Sequence, residues 1–155
     1  MKMSFSLWLE KGWLKEHKPT SHEIAELLAV ADRSLKDCQV AGLSSDGKLD
    51  IAHNAALQSA AAALTAAGYR ASREGYHYYL IQSLSFTLQL DERIIRRLDK
   101  LRRKRNISDY ERPGLVSEQE AQEMVDLAIQ IRQQVQAWIL DSHPELSSID
   151  AGHQP

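Results

Sequence analysis

Apolar residues recur three and four positions apart along most of this chain, which is the spacing of one face of an α-helix. Ser117 and Glu120 have the spacing of a capping box, which predicts the start of the last long helix, and Pro144 ends it. Its apolar face consists of Ala121, Met124, Ala128, Ile131, Val135 and Trp138. Repeated segments of this kind predict an all-α fold, an up-and-down antiparallel bundle of four to five main helices, without a convincing strand.

Three segments precede the central helix of the predicted bundle: an extension, a helix and a loop. Residues 1–19 are expected to form a short helical extension that carries Trp8 and Trp13. Thr20 then caps a helix that reaches about Asp37. Its apolar stripe is Ile24, Leu27, Leu28, Ala31 and Leu35. The loop "GLSSDGK" separates this helix from the next one.

The predicted centre of the bundle is a long helix over residues 48–67, with Gly68 as its C-cap. Its buried seam is Leu57, Ala60, Leu64 and Ala67. The alanine run from 60 to 63 has small side chains, which let a neighbouring helix approach closely. We therefore place this helix at the core.

Two further helices are predicted between the central helix and the last one. The first covers about residues 74–89 and is rich in aromatic residues. The second begins at Asp91, and the segment "DYERPGL" is expected to be a loop after it. Its apolar face contains Ile94, Leu98 and Leu101. The bundle should then span residues 20–141, with a loose tail over 142–155.

Composition limits the class of protein. A chain of 155 residues has the size of one domain, and its net charge of −2 does not point to nucleic acid or membrane. Cys38 is the single cysteine, so neither an intramolecular disulfide nor a zinc cluster of cysteines is expected. Apolar runs are too short to span a bilayer and the N-terminus does not resemble a signal peptide. We expect a cytoplasmic protein with no metal and no cofactor.

Arg105 continues the apolar stripe of the Asp91 helix, four residues after Leu101, where an arginine is costly unless it is paired. One interpretation is structural: Arg105 pairs with Asp109 or Tyr110 and pins the end of the helix. The other is functional: its forked guanidinium binds phosphate, together with Asn106.

The surrounding segment is strongly basic. Residues 93–105 contain eight basic residues and one acid, a net charge of +7, so the rest of the chain sums to −9. Arg102, Arg103 and Lys104 are expected to point away from the stripe. They form either a face that attracts RNA at low salt or an ordinary solvated helix surface.

The stretches "IAHNAALQSAAAALTAAGYR", "RNISDYE" and "VSEQEAQEMVDLAIQIRQQVQAWI" resemble the HEPN superfamily over about residues 20–141. The resemblance implies a small helical bundle that forms homodimers and belongs to prokaryotic defence or toxin–antitoxin systems, where a nucleotidyltransferase is one class of partner. It also implies a site shared between protomers. The arginine of the ribonuclease motif matches Arg105, its polar neighbour matches Asn106, and the histidine position falls on Tyr110.

A tyrosine with a pKa near 10 is a poor general base. The resemblance therefore implies a non-catalytic module that binds RNA, a nucleotide or a protein partner. Two alternatives stay open: a metal-independent endoribonuclease that uses Arg105 with Tyr110 or His77, and a dimeric interaction module without a ligand. His53 is expected to be half-buried and hydrogen-bonded. His77 is expected to hydrogen-bond a neighbouring helix, or to face the same cleft as Arg105.

Overall fold

A computed structural model describes residues 4–110 and 114–147; of Ser108, Asp109 and Tyr110 it describes the backbone alone. The described part is an all-α bundle with a small two-stranded ribbon at one side. Its elements are α1 (Phe5–Glu10), β1 (Leu14–Glu16), α2 (Ser21–Asp37), α3 (Ser45–Ala66), β2 (Tyr69–Ala71), α4 (Tyr76–Thr87), α5 (Glu92–Tyr110), α6 (Glu118–Ser142) and α7 (Pro144–Ser147). The predicted fold class is confirmed.

Helix α3 is the centre, as predicted. Its side chains are buried on nearly all sides because α2, α4, α5 and α6 surround it. The alanines from 60 to 63 are all buried, and small side chains there allow close helix packing. The helix begins three residues earlier than predicted because the Ser44 hydroxyl accepts the Gly47 amide and caps it.

The capping signals of the sequence correspond to real helix starts. Ser117 and Glu120 form a complete capping box at α6, with both reciprocal hydrogen bonds present. Thr20 and Glu23 at α2 also have capping-box spacing, and the Thr20 hydroxyl accepts the Glu23 amide. The Glu23 carboxylate, however, is hydrogen-bonded to His17, so the second bond of a capping box is not formed. Gly68, with φ of +99°, follows the end of α3 as predicted.

The expectation of no strand was wrong. Strands β1 and β2 pair antiparallel, with Leu14 opposite Ala71 and Glu16 opposite Tyr69. Strands of three residues are too short to show an alternating apolar pattern in sequence. The ribbon ties the N-terminal segment to the α3–α4 connection. Trp13 lies just before β1 rather than in a helix, and Trp8 is buried, so residues 4–16 are part of the core structure.

Two boundaries and one buried stripe near the other end differ from prediction. Helix α5 includes Asp109 and Tyr110, which were expected in a loop. Its buried stripe uses Ile95 beside Leu98 and Leu101, while Ile94 is only half-buried. The expected loose tail contains α7, which begins at a proline and buries Leu146.

None of the described helices has both the length and the apolar character needed to cross a membrane. Residues 148–155, which complete the predicted tail, lie outside the described residues.

Candidate functional site

Arg105 lies in the last turns of α5 and is partly buried, with 19% of its side chain exposed, as the stripe predicted. Its Nε–H donates to Asp50 Oδ1 at 2.6 Å, and an Nη1–H donates to Asn106 Oδ1 at 3.4 Å. Asp50 belongs to α3 and was not predicted as a partner. The side chains of Asp109 and Tyr110 lie outside the described part, so their predicted pairing with Arg105 stays a prediction.

Arg102 is as buried as Arg105, which corrects the expectation that it points into solvent. Its Nε–H donates to Asp99 Oδ1 at 2.8 Å, and its guanidinium carbon lies 5.8 Å from the centre of the Tyr78 ring. Stacking on the α4 tyrosine turns Arg102 toward α4. Arg103, by contrast, is exposed as predicted.

His53 of α3 lies one turn after Asp50, on the same side of the helix as the Arg105 contact. It is fully buried, with 1% exposed, and neither ring nitrogen has a hydrogen-bond partner among the described residues. The expectation of a half-buried, satisfied histidine was therefore wrong. Burial, then the charges of Arg105, His77 and Arg102, lower the pKa of His53 to about 3.

His77 of α4 is half-buried beside the same two arginines. Burial and then the positive charges of Arg105 and Arg102 lower the pKa of His77 below its ordinary value. The predicted hydrogen bond to a neighbouring helix is not found among the described residues. The alternative expectation, that His77 faces the Arg105 cleft, agrees with these electrostatic contacts.

The basic run of α5 is mostly compensated. Seven of its eight cations lie within ion-pair distance of a carboxylate. The pairs are Arg93 with Asp91, Arg96 with Glu92, Arg97 with Glu123, Arg102 and Arg103 with Asp99, Lys104 with Glu120, and Arg105 with Asp50. The net charge of +7 read from the sequence is therefore not an open positive face. Exposed pairs of this kind contribute little stability each but remove much of the long-range field.

We call Asp50, His53, His77, Arg102 and Arg105 the Arg105 cluster. It brings two guanidinium groups and two neutral imidazoles from three helices close together, with Arg105 paired to Asp50 and Arg102 paired to Asp99. Such a cluster favours the binding of an anion. A bound negative charge would be attracted by both arginines, and by either histidine when it is protonated. No group of three or more metal-ligating side chains occurs in the described ranges 4–107 and 114–147.

Two members of the cluster, Asp50 and His53, were not assigned to the site from sequence. The available signal was a carboxylate and an imidazole three residues apart in a helix whose other inward positions are mainly alanine and leucine. The contact between Asp50 and Arg105 spans 55 positions of sequence and depends on how α5 packs against α3.

No protein-family model matches the chain, and neither the curated proteins nor the solved structures contain a match.

Proposed function

We propose that the protein is a non-catalytic, HEPN-like dimeric module that binds the phosphate backbone of RNA through the Arg105 cluster. The observation that carries this proposal is the convergence of Arg102, Arg105, His53 and His77 from three helices. Arginine offers several N–H donors in a planar fork that matches phosphate oxygens.

Binding should be weak and local. The chain carries a net charge of −2 and most α5 cations are paired, so long-range attraction of RNA is small. Asp50 must also share Arg105 with the phosphate, since both anions use the same guanidinium. We therefore expect a few phosphate contacts rather than a long basic track.

The test is fluorescence anisotropy of a labelled single-stranded RNA at 50 and 200 mM salt. Arg105→Ala should weaken binding about tenfold and reduce the salt dependence by roughly one phosphate contact. Arg93→Ala is the matched control, since Arg93 lies on the same helix but is 82% exposed and remote from the cluster. Equal binding by both variants would contradict the proposal.

A second candidate function is RNA cleavage, favoured by one observation: His77 is held neutral beside Arg105. A neutral imidazole can take a proton from the 2′-hydroxyl, a task for which Tyr110 is poorly suited. Purified protein incubated with mixed RNA tests this. Cleavage that His77→Ala abolishes and Tyr110→Phe spares would support it. RNA that stays intact would contradict cleavage, and RNA binding would then remain as the proposed function.

The proposed partner is a second copy of the chain, with a nucleotidyltransferase as the class of protein that the HEPN resemblance adds. Ile107, two residues after Arg105 on α5, is a large apolar side chain that stays exposed, and such a residue beside the Arg105 cluster suits a contact with a second copy. Light scattering at tens of micromolar should give the mass of a dimer. A monomer at that concentration would rule out the shared-site part of the proposal.

A further inference from the structure

A small aromatic pocket of about 220 Å³ lies beside the Arg105 cluster, between the N-terminal segment and α4. Its walls include Trp8, Trp13, Tyr78, Tyr79, Phe86 and Gln82. Trp13 and Tyr79 stack with their ring centres 5.2 Å apart, and Trp8 meets Tyr79 and Phe86 edge to face. The rings are thus held by one another before any ligand arrives, so binding needs little ordering of side chains.

Two polar groups in these walls have no protein partner. Trp8 is buried, and its indole N–H has no acceptor within the part of the chain that the structure describes. The Gln82 amide, which offers both a donor and an acceptor, also makes no hydrogen bond there. The Trp8 N–H is buried too deeply for a ligand to reach, so the Gln82 amide is the polar group of these two that can meet a ligand's hydrogen-bonding edge. The walls therefore suit a flat ring that carries hydrogen-bonding edges.

The charges around the pocket decide between two kinds of ligand. Aromatic cages often bind quaternary ammonium groups through cation–π contacts. Here cations already lie over two of the rings, with Lys11 5.4 Å from the centre of the Trp13 ring and Arg102 5.8 Å from the centre of the Tyr78 ring. No carboxylate lines the pocket among the described residues. A cationic ligand is disfavoured, and a planar ligand that carries a negative group is favoured.

We propose that this aromatic pocket binds one nucleobase, with the attached phosphate on Arg102. The inference rests on the proposed function and deepens it, because Arg102 belongs both to the Arg105 cluster and to the Tyr78 wall. The pocket is smaller than the roughly 300–1,000 Å³ of sites for drug-sized ligands, which fits a single ring system. Stacking with few base-specific contacts tolerates different bases.

Tyr78→Ala is the decisive variant, because Tyr78 is 41% exposed and its removal should not unfold the bundle. Tyr76→Ala is the matched control: Tyr76 lies on the same helix and is 39% exposed, but it does not line the pocket. With a ten-nucleotide single-stranded RNA, Tyr78→Ala should bind about 5- to 100-fold more weakly than the native protein. Tyr76→Ala and Tyr78→Phe should bind as the native protein does.

The same titrations with an abasic ribose-phosphate strand of equal length separate the base from the phosphates. The native protein should bind it as weakly as Tyr78→Ala binds RNA. If both strands bind equally and Tyr78→Ala has no effect, the pocket is not a base site, although binding that depends on Arg105 would still support the proposed function. If neither strand binds, the proposed function and this inference both fail.

Small ligands identify the source of the base. Quenching of tryptophan fluorescence by adenosine 5′-monophosphate, but not by ribose 5-phosphate, would show that a free nucleotide suffices. Quenching by the RNA alone would show that the neighbouring phosphates are needed. Tetramethylammonium should have no effect, and saturable quenching by it instead of by the nucleotide would overturn the assignment.

Discussion

The buried histidine of the central helix should make the protein lose stability as the solution becomes acidic. His53 has a pKa of about 3 in the folded protein, against about 6.5 in an unfolded chain. Below pH 6.5 the unfolded chain takes up a proton that the folded protein does not bind. The stability that neutral His53 contributes is therefore fully present above pH 6.5 and is lost progressively as the pH falls toward 3.

The magnitude follows from the two pKa values. Between them, each unit of pH changes the free energy of unfolding by about 1.4 kcal/mol per group. From pH 7 to pH 5 His53 alone should therefore remove about 2 kcal/mol of stability. Since small domains are stable by about 5–15 kcal/mol, a loss of this size is readily measured.

His53→Leu tests this, because leucine fills a similar space and has neither a titrating group nor an unsatisfied ring nitrogen. Urea unfolding of both proteins at pH 5, 6 and 7 gives their free energies of unfolding. From pH 7 to pH 5 the native protein should lose about 2 kcal/mol more of this free energy than the variant does. His22→Gln removes an exposed histidine and should keep the native dependence on pH. Parallel curves for His53→Leu and the native protein would refute the reasoning.

Three other predictions concern single contacts. Arg105→Ala should lower the free energy of unfolding by about 1 kcal/mol, since it removes an ion pair whose Asp50 partner is 41% exposed and stays hydrated, and urea titration at pH 7 measures this. Ser117→Ala should cost about 1 kcal/mol by removing one half of the α6 capping box, which the shift in thermal midpoint will show. The Cys38 thiol is buried and its pKa is raised by burial, so a thiol reagent should label it in native protein far more slowly than in urea.

Helix-level structure could be predicted because its signals are local. The capping residues Thr20 and Ser117, the apolar spacing of α6 and the small residues of α3 all act within a few turns of helix. The burial of Arg105 was predictable for the same reason, since four residues after Leu101 the helix returns to the same face. These features needed no knowledge of which helices touch.

The partners of those side chains were decided by tertiary packing. Asp50 reaches Arg105 only because α3 and α5 lie side by side, and the same packing removes His53 from water and leaves it without a hydrogen bond to any side chain that the structure describes. The basic run looked like an open face because the pairing acids Glu120 and Glu123 come from α6. A sequence shows how many charges there are, but not which of them the fold brings together.

The N-terminal segment shows the same division. Its tryptophans and short amphipathic pattern were visible in the sequence, yet β1 and β2 are three residues long and lie more than 50 positions apart. Pairing of such short strands depends on their ends being brought together by the rest of the bundle rather than on any local pattern. The sequence by itself determined the helices and the inward position of Arg105. The ribbon, the aromatic pocket that it helps to hold, and the electrostatic surroundings of the two histidines depended on long-range packing, because no local property of the chain specifies contacts between distant segments.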